Sequence, residues 1–359
     1  MFAGSLKLGR ISGIRVNLHW SVALIGALLG VGLAPALGWP AAAVAIVAFL
    51  GSILGHEMAH ALVARRFGVG TQSIELWALG GIARLDREAG TPRAEGWIAA
   101  AGPIASFALG GLGIGAWLAL GGTEASSGGV RVLFWLGFVN VLLGAFNLLP
   151  GAPLDGGRLV KAVRWRMHGD RYRAARDAGR AGSYLGWGLG GLGLWLTVTG
   201  RPGIWLIVTG VFIAVNARAE IVSSYVSQRL DGVTVGDLTW FGLAAAGSEM
   251  DADSMLWQRQ RLGHAGVVVV EGPDGEPAGL VPEDRLWAIP AEQRPWVLLT
   301  QLMIPFARLT RATPDERLSD VLSRVNPAEP VVTVWDHDRL VGVVPPARLQ
   351  ERLGAAQRA

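Results

Sequence analysis

The chain has 359 residues, of which 51% are hydrophobic and 17% charged, and its mean hydropathy is +0.38. This balance excludes an ordinary soluble enzyme and predicts several membrane spans joined to a soluble part. The lack of cysteine excludes disulfides and thiolate metal sites, and a net charge of +4 without a dense basic run excludes nucleic acid as a partner.

The first stretch, Ser5 to Leu18, alternates in polarity and reads as a hairpin, not as a cleavable leader. Apolar segments follow near Trp20–Leu37, Ala41–Val63, Gly96–Leu120, Val132–Leu149, Ser183–Thr199 and Gly203–Val222. Each approaches the ~20 residues a helix needs to cross ~30 Å of hydrocarbon, so six transmembrane helices are predicted. His19 beside Trp20 reads as an interfacial anchor, with a polar role near a site as the alternative. Gly51 and Gly55 form a small-xxx-small pattern, predicted to admit another helix against the second span. Between spans two and three, Phe67–Glu95 is semi-polar and alternates about Gly80-Gly81. It is predicted to be a re-entrant β-hairpin sheltered by protein, the setting in which non-helical backbone survives at membrane depth.

Charge asymmetry gives the orientation. Lys7, Arg10 and Arg15 precede the first span, and Arg65, Arg66, Arg84, Arg87 and Arg93 lie between the second and third. A run of basic residues from Arg158 to Arg180 separates the fourth from the fifth, whereas the opposite connections carry only Arg131 and Arg201. The expectation is a multi-pass protein of the cell membrane with both termini in the cytoplasm.

Composition changes after Val222. A membrane domain over 1–225 is therefore expected, followed by a soluble tail over 231–359 that reads as duplicated, about 231–290 and 296–352. Each half ends alike, in Gly279-Leu280-Val281-Pro282 and in Gly342-Val343-Val344-Pro345. Both read helix, strand, turn, strand, helix, which predicts two packed α+β modules.

Within the second apolar segment stands His56-Glu57-Met58-Ala59-His60. In a soluble helix such a match is often two solvated histidines, but ionisable groups at membrane depth are costly and mark function. On a helix, residues i and i+4 share a face, so His56 and His60 can hold one zinc ion, with Glu57 placed as a general base. A catalytic zinc takes three protein ligands and keeps one position open. The best third candidate is Asp155, in Asn147-Leu-Leu-Pro-Gly-Ala-Pro-Leu-Asp155-Gly156-Gly157, at the end of span four; its alternative is a helix-capping turn. Asn140, seven residues before Asn147, faces either a cavity or a neighbouring helix.

Together these motifs resemble the site-2 protease family of intramembrane zinc metalloproteases, in the branch whose tail is a pair of CBS (cystathionine-β-synthase-type) domains. The resemblance runs from Gly13–Ser21 through the HExxH span, Ala101-Gly102-Pro103 and the Asn147–Gly156 segment to the repeated tail. It implies one Zn2+ per chain bound by His56, His60 and Asp155, with Glu57 as the base and Asn147 contacting substrate or helping to stabilise the oxyanion. The implied substrates are membrane-spanning proteins, often regulators, cut within the lipid bilayer. The family often has Asn soon after the Gly-Pro of span three; Ser106 stands here and is assigned no role. In nucleotide-binding CBS modules a Thr or Ser is followed three residues later by an Asp for the ribose. Here Pro282 precedes Arg285 and Pro345 precedes Arg348, so adenine nucleotide binding is not expected, and the tail remains a candidate for homodimer formation. A competing reading is a CBS-regulated membrane ion transporter whose His/Glu/Asp cluster is an ion site.

Overall fold

The computed structural model describes residues 5–78, 80–122, 128–241, 243–262, 266–326, 328–345, 347–349 and 351, in two units, Met1–Ser224 and Tyr225–Ala359. The first unit opens with antiparallel strands β1 (Ser5–Ile11) and β2 (Ile14–His19). Ser12 and Gly13, both at positive φ, make the two-residue turn that matches strand twist. Two helices follow, α1 (Ser21–Leu37) and α2 (Trp39–Arg66), and then strands β3 (Thr71–Trp77) and β4 (Gly80–Leu85). β3 returns parallel to β2, with Val16 opposite Ile74, and the sheet order is β1-β2-β3-β4. Its apolar face, Ile14, Ile74 and Leu76, packs with Val22 of α1 and Ala61 of α2.

The segment expected to be a hairpin is therefore half of a larger sheet. An isolated hairpin is marginal, and the two N-terminal strands supply the width that buries one whole face.

The remaining helices of this unit are α3 (Pro92–Ala119), α4 (Gly128–Asn147), α5 (Asp155–His168), α6 (Arg171–Val198) and α7, which starts at Ile204 and ends at Leu230. Thr91 caps α3 by accepting from the Ala94 amide, and Asp170 caps α6 by accepting from Tyr172 and Arg173. Helices occupy all six predicted apolar segments. Four of them, α2, α3, α4 and α7, have the length and hydropathy to cross a membrane; α1 is a shorter apolar helix. α6 is long, but its first turns carry Arg171, Arg173, Arg176 and Arg180, and its apolar half is rich in glycine. Large apolar side chains such as Val47, Leu112 and Val198 are exposed, as expected of surfaces that face lipid.

The close helix crossings lie away from the predicted Gly51/Gly55 pair. Gly51 faces open space, and a side chain at Gly55 would meet Leu109 at an ordinary 3.7 Å. α3 and α4 instead approach through Gly113 and Gly137, where an added Cβ on Gly113 would lie 2.9 Å from the Gly137 Cα.

In the second unit, β5 (Ala244–Gly247), α8 (Ala252–Leu262), β6 (Val267–Glu271), β7 (Pro277–Pro282) and α9 (Glu283–Trp287) form one module. Then come α10 (Leu299–Leu302), β8 (Ile304–Pro305), β9 (Thr310–Ala312), α11 (Leu318–Leu322), β10 (Val332–Asp336) and β11 (Arg339–Val344). β5 is parallel to β6, which is antiparallel to β7; β9, β10 and β11 repeat that pattern. Each module therefore has an opening strand that alternation did not reveal.

The leading segments are also exchanged. Val235 and Leu238 are buried with Leu318 and Val332 of the second module, while Leu299 is buried with Val268 and Leu286 of the first. β8 likewise pairs with β7. The two modules are thus joined by both connections.

Candidate active site

His56 and His60 lie one turn apart on α2, both buried, and their rings meet edge to face at 4.8 Å. The His60 Nδ1 is 2.6 Å from the Ile98 carbonyl oxygen, which can only accept, so this nitrogen carries the proton and Nε2 is left with a lone pair. The His56 Nδ1 is 2.8 Å from the Ser106 hydroxyl on α3. Both Nε2 atoms therefore turn to the same point, 3.2 Å apart.

Asp155 reaches that point from the first residue of α5, its Oδ2 standing 3.1 Å from His56 Nε2 and 3.2 Å from His60 Nε2. Two glycines make this possible. A Cβ on Gly156 would lie 2.3 Å from the Leu149 carbonyl oxygen, and one on Gly157 would lie 2.2 Å from the Ala152 nitrogen. Without side chains there, the loop after α4 folds back on the start of α5 and delivers the carboxylate.

Three electron-rich atoms at near-equal separations need positive charge among them. A proton joins two atoms; a metal ion joins three. Ligands at 2.0–2.1 Å from a tetrahedral zinc stand about 3.3 Å apart, close to these separations. Gly102 of α3 closes one side: a Cβ there would lie 2.2 Å from His60 Nε2 and 2.4 Å from His56 Nε2, in the space an ion needs. The donor set and the room both fit zinc.

A cavity of about 340 Å³ opens beside these atoms, lined in part by Glu57, Asn147 and Arg158. β4 forms its other wall, and a Cβ on Gly81 would lie 2.3 Å from the Glu57 Cγ, so only glycine lets the strand lie against this side chain. Asn147, the last residue of α4, donates to the Leu143 carbonyl at 3.0 Å and presents its side chain to the cavity. Arg158 donates to the buried Glu95 at 3.0 Å, fixing α5 to the start of α3.

The structure thus brings His56, Glu57, His60, Asp155 and Asn147 to one cavity. Asn140 is fully buried outside its lining, with its amide donating to Leu136 and its Oδ1 unpaired. His19 pairs with Ser21 at 2.7 Å, and that hydroxyl accepts from the Ala78 amide, linking the start of α1 to the end of β3. Sequence reasoning gave Ser106 no role, yet it is fully buried against His56. Its place soon after Gly102-Pro103, where the resembling family often has another polar residue, was the available signal. Gly102 itself was recognised only as part of a motif.

The sequence matches the profile of peptidase family M50 over residues 44–124 and 113–184. It is 39% identical over 360 residues to the zinc metalloprotease Rip3 of Mycobacterium tuberculosis, covering 96% of this chain and 91% of that protein. The solved site-2 protease of Methanocaldococcus jannaschii is similar over 60% of this chain and 95% of its own, with 28% identity and a TM-score of 0.47. A CBS domain protein of Thermoplasma acidophilum is similar over 35% of this chain and 77% of its own, with 17% identity and a TM-score of 0.28.

Proposed function

The chain belongs to peptidase family M50 and is a zinc metalloprotease, and we propose that it cuts peptide bonds at membrane depth, within spanning segments of regulatory membrane proteins. The observation that carries this reading is the convergence of two imidazoles from an apolar, membrane-length helix with the Asp155 carboxylate from the start of α5, with Glu57 beside them in a cavity. Membership of a peptidase family favours hydrolysis over ion transport.

In this reading His56, His60 and Asp155 hold the metal. Zinc bound there supplies the Lewis acidity that activates water and polarises the scissile carbonyl. Glu57 receives the proton of the attacking water and later passes it to the leaving amine. Asn147 holds the substrate main chain in the cavity. The Ile98 carbonyl fixes the His60 tautomer and the Ser106 hydroxyl holds the His56 ring, so that both Nε2 atoms face the metal site.

A helical peptide bond is shielded by its own turn, so the substrate must unwind. β4 pairs with β3 on one side only, and its outer edge, from Gly80 to Ala83, lines the cavity. An extended substrate segment adds to that edge as a fifth strand. The sheet then serves as the re-entrant element of the membrane domain, with six helices crossing the bilayer and both termini in the cytoplasm.

The tail acts as a paired CBS module that regulates cleavage without an adenine nucleotide. Both arginines at the ribose-acid places are engaged internally: Arg285 donates to both Glu329 oxygens at 2.9 Å, and Arg348 lies over the Trp240 ring at 4.8 Å. Its remaining proposed role is pairing with the tail of a second copy.

The test is reconstitution of the protein in vesicles with single-span substrates, and mass spectrometry of the products. The expected cuts fall inside the spanning segment and stop on zinc chelation. Cuts confined to soluble flanks would contradict the reading.

A further inference from the structure

The proteolytic cavity uses one edge of the four-stranded sheet and leaves its polar face free. Cross-strand register sets Lys7 opposite Asn17, Arg10 opposite Arg15 and Ser73 opposite Arg84. Because strand side chains alternate, these residues share the face opposite Ile14, Val16 and Ile74, which pack toward the helices. They line a concavity of about 540 Å³.

Several features of this face are costly in an empty site. Arg10 and Arg15 are directly opposed across a strand pair, where like charges destabilise. Among the described residues Lys7, Arg10 and Arg15 have no acid within ion-pair distance, and Arg84 has Glu75 at 3.9 Å. Asn17 is only 6% exposed and Ser73 9%, yet among the described residues neither side chain has a protein hydrogen-bond partner. The Thr71 hydroxyl, on the strand that carries Ser73, is fully enclosed and unpaired. The Asn17 and Ser73 side chains line the concavity, so their unpaired polar groups are open to whatever enters it.

We propose that this face binds a phosphate-bearing anion, and that the anion is the headgroup of an acidic lipid. Four cations ring the site and the Asn17 amide and Ser73 hydroxyl form its floor, a donor set suited to phosphate oxygens. β1 points to lipid as the source. Leu6, Leu8 and Ile11 are exposed on the strand that carries Lys7 and Arg10, so one edge offers apolar side chains and cations together. Arg84 ties the headgroup to β4, the strand whose outer edge lines the proteolytic cavity.

Native mass spectrometry of the full-length protein in detergent tests this, with phosphatidylglycerol and phosphatidylcholine as lipid probes and calorimetry with inorganic phosphate. Arg10→Gln/Arg15→Gln and Asn17→Ala are compared with wild type, with zinc content as the control for folding. The expected result is one phosphatidylglycerol per chain, bound at least tenfold more tightly than phosphatidylcholine, and weakened at least tenfold in both variants. Tight phosphate binding sensitive to the same substitutions, without preference between the lipids, would also support an anion site and make free phosphate its source. Equal binding of both lipids with no phosphate binding would overturn the proposal. So would an anion preference that survives in both folded variants.

Discussion

The two units bury different things. Of fourteen buried polar or charged residues among those described, eleven lie in the first unit and only Thr239, Glu329 and Thr333 in the second. The second unit instead buries compact apolar clusters around Met255, Leu286, Val332 and Leu318. A core of that kind holds modules together. In the first unit the helices turn apolar surface outward and gather His56, His60, Ser106 and Asp155 inward, at a cost that a metal ion repays. Polarity buried against its solvation preference locates the chemistry in the first unit.

If that contrast is right, small changes in the first unit should end activity and larger ones in the second should not. The largest effect is expected from Gly102→Ala, whose methyl group takes the space between the two imidazoles. Bound zinc, measured by elemental analysis, should fall to less than about a tenth of one ion per chain, and proteolysis with it. Asp155→Ala should behave similarly, because two imidazoles alone hold the ion poorly. Zinc content equal to wild type would make Asp155 a capping residue and place the third ligand elsewhere.

Ser106→Ala should weaken zinc affinity by about 10–100-fold in chelator competition, since the His56 ring loses the hydrogen bond that orients it. Asn147→Ala is expected to keep zinc and lower turnover by roughly tenfold to a hundredfold, separating substrate contact from metal binding. The smallest effect belongs to the tail. Arg285→Ala removes a partly exposed ion pair with Glu329, and should lower thermal stability of the second unit by about 1 kcal/mol while zinc content stays unchanged. A loss of zinc there would break the division of labour argued above.

Much of this was legible in the chain. The HExxH spacing needs only helical periodicity, and its apolar setting excluded a solvated surface pair. Asp155 could be read because prolines and glycines mark the break before it. Ser106 was signalled only by its place after Gly102-Pro103 and Gly102 only by that motif, since their roles depend on the rotation of α3 against α2, which local periodicity does not encode. The parallel pairing of β2 with β3 was hidden for a similar reason: two helices separate strands that each look like half of an ordinary hairpin. In the tail, the exchanged leading segments are similar apolar stretches, and which module each one joins is decided only by packing.

The central claim is that one carboxylate beside a metal drives hydrolysis within this membrane domain. Glu57→Gln removes the base and leaves His56, His60 and Asp155 intact, so zinc content and cleavage of a co-reconstituted single-span substrate should be measured on the same preparation. The account predicts about one zinc per chain and cleavage reduced by at least roughly a thousandfold. Undiminished cleavage at full zinc content would contradict it.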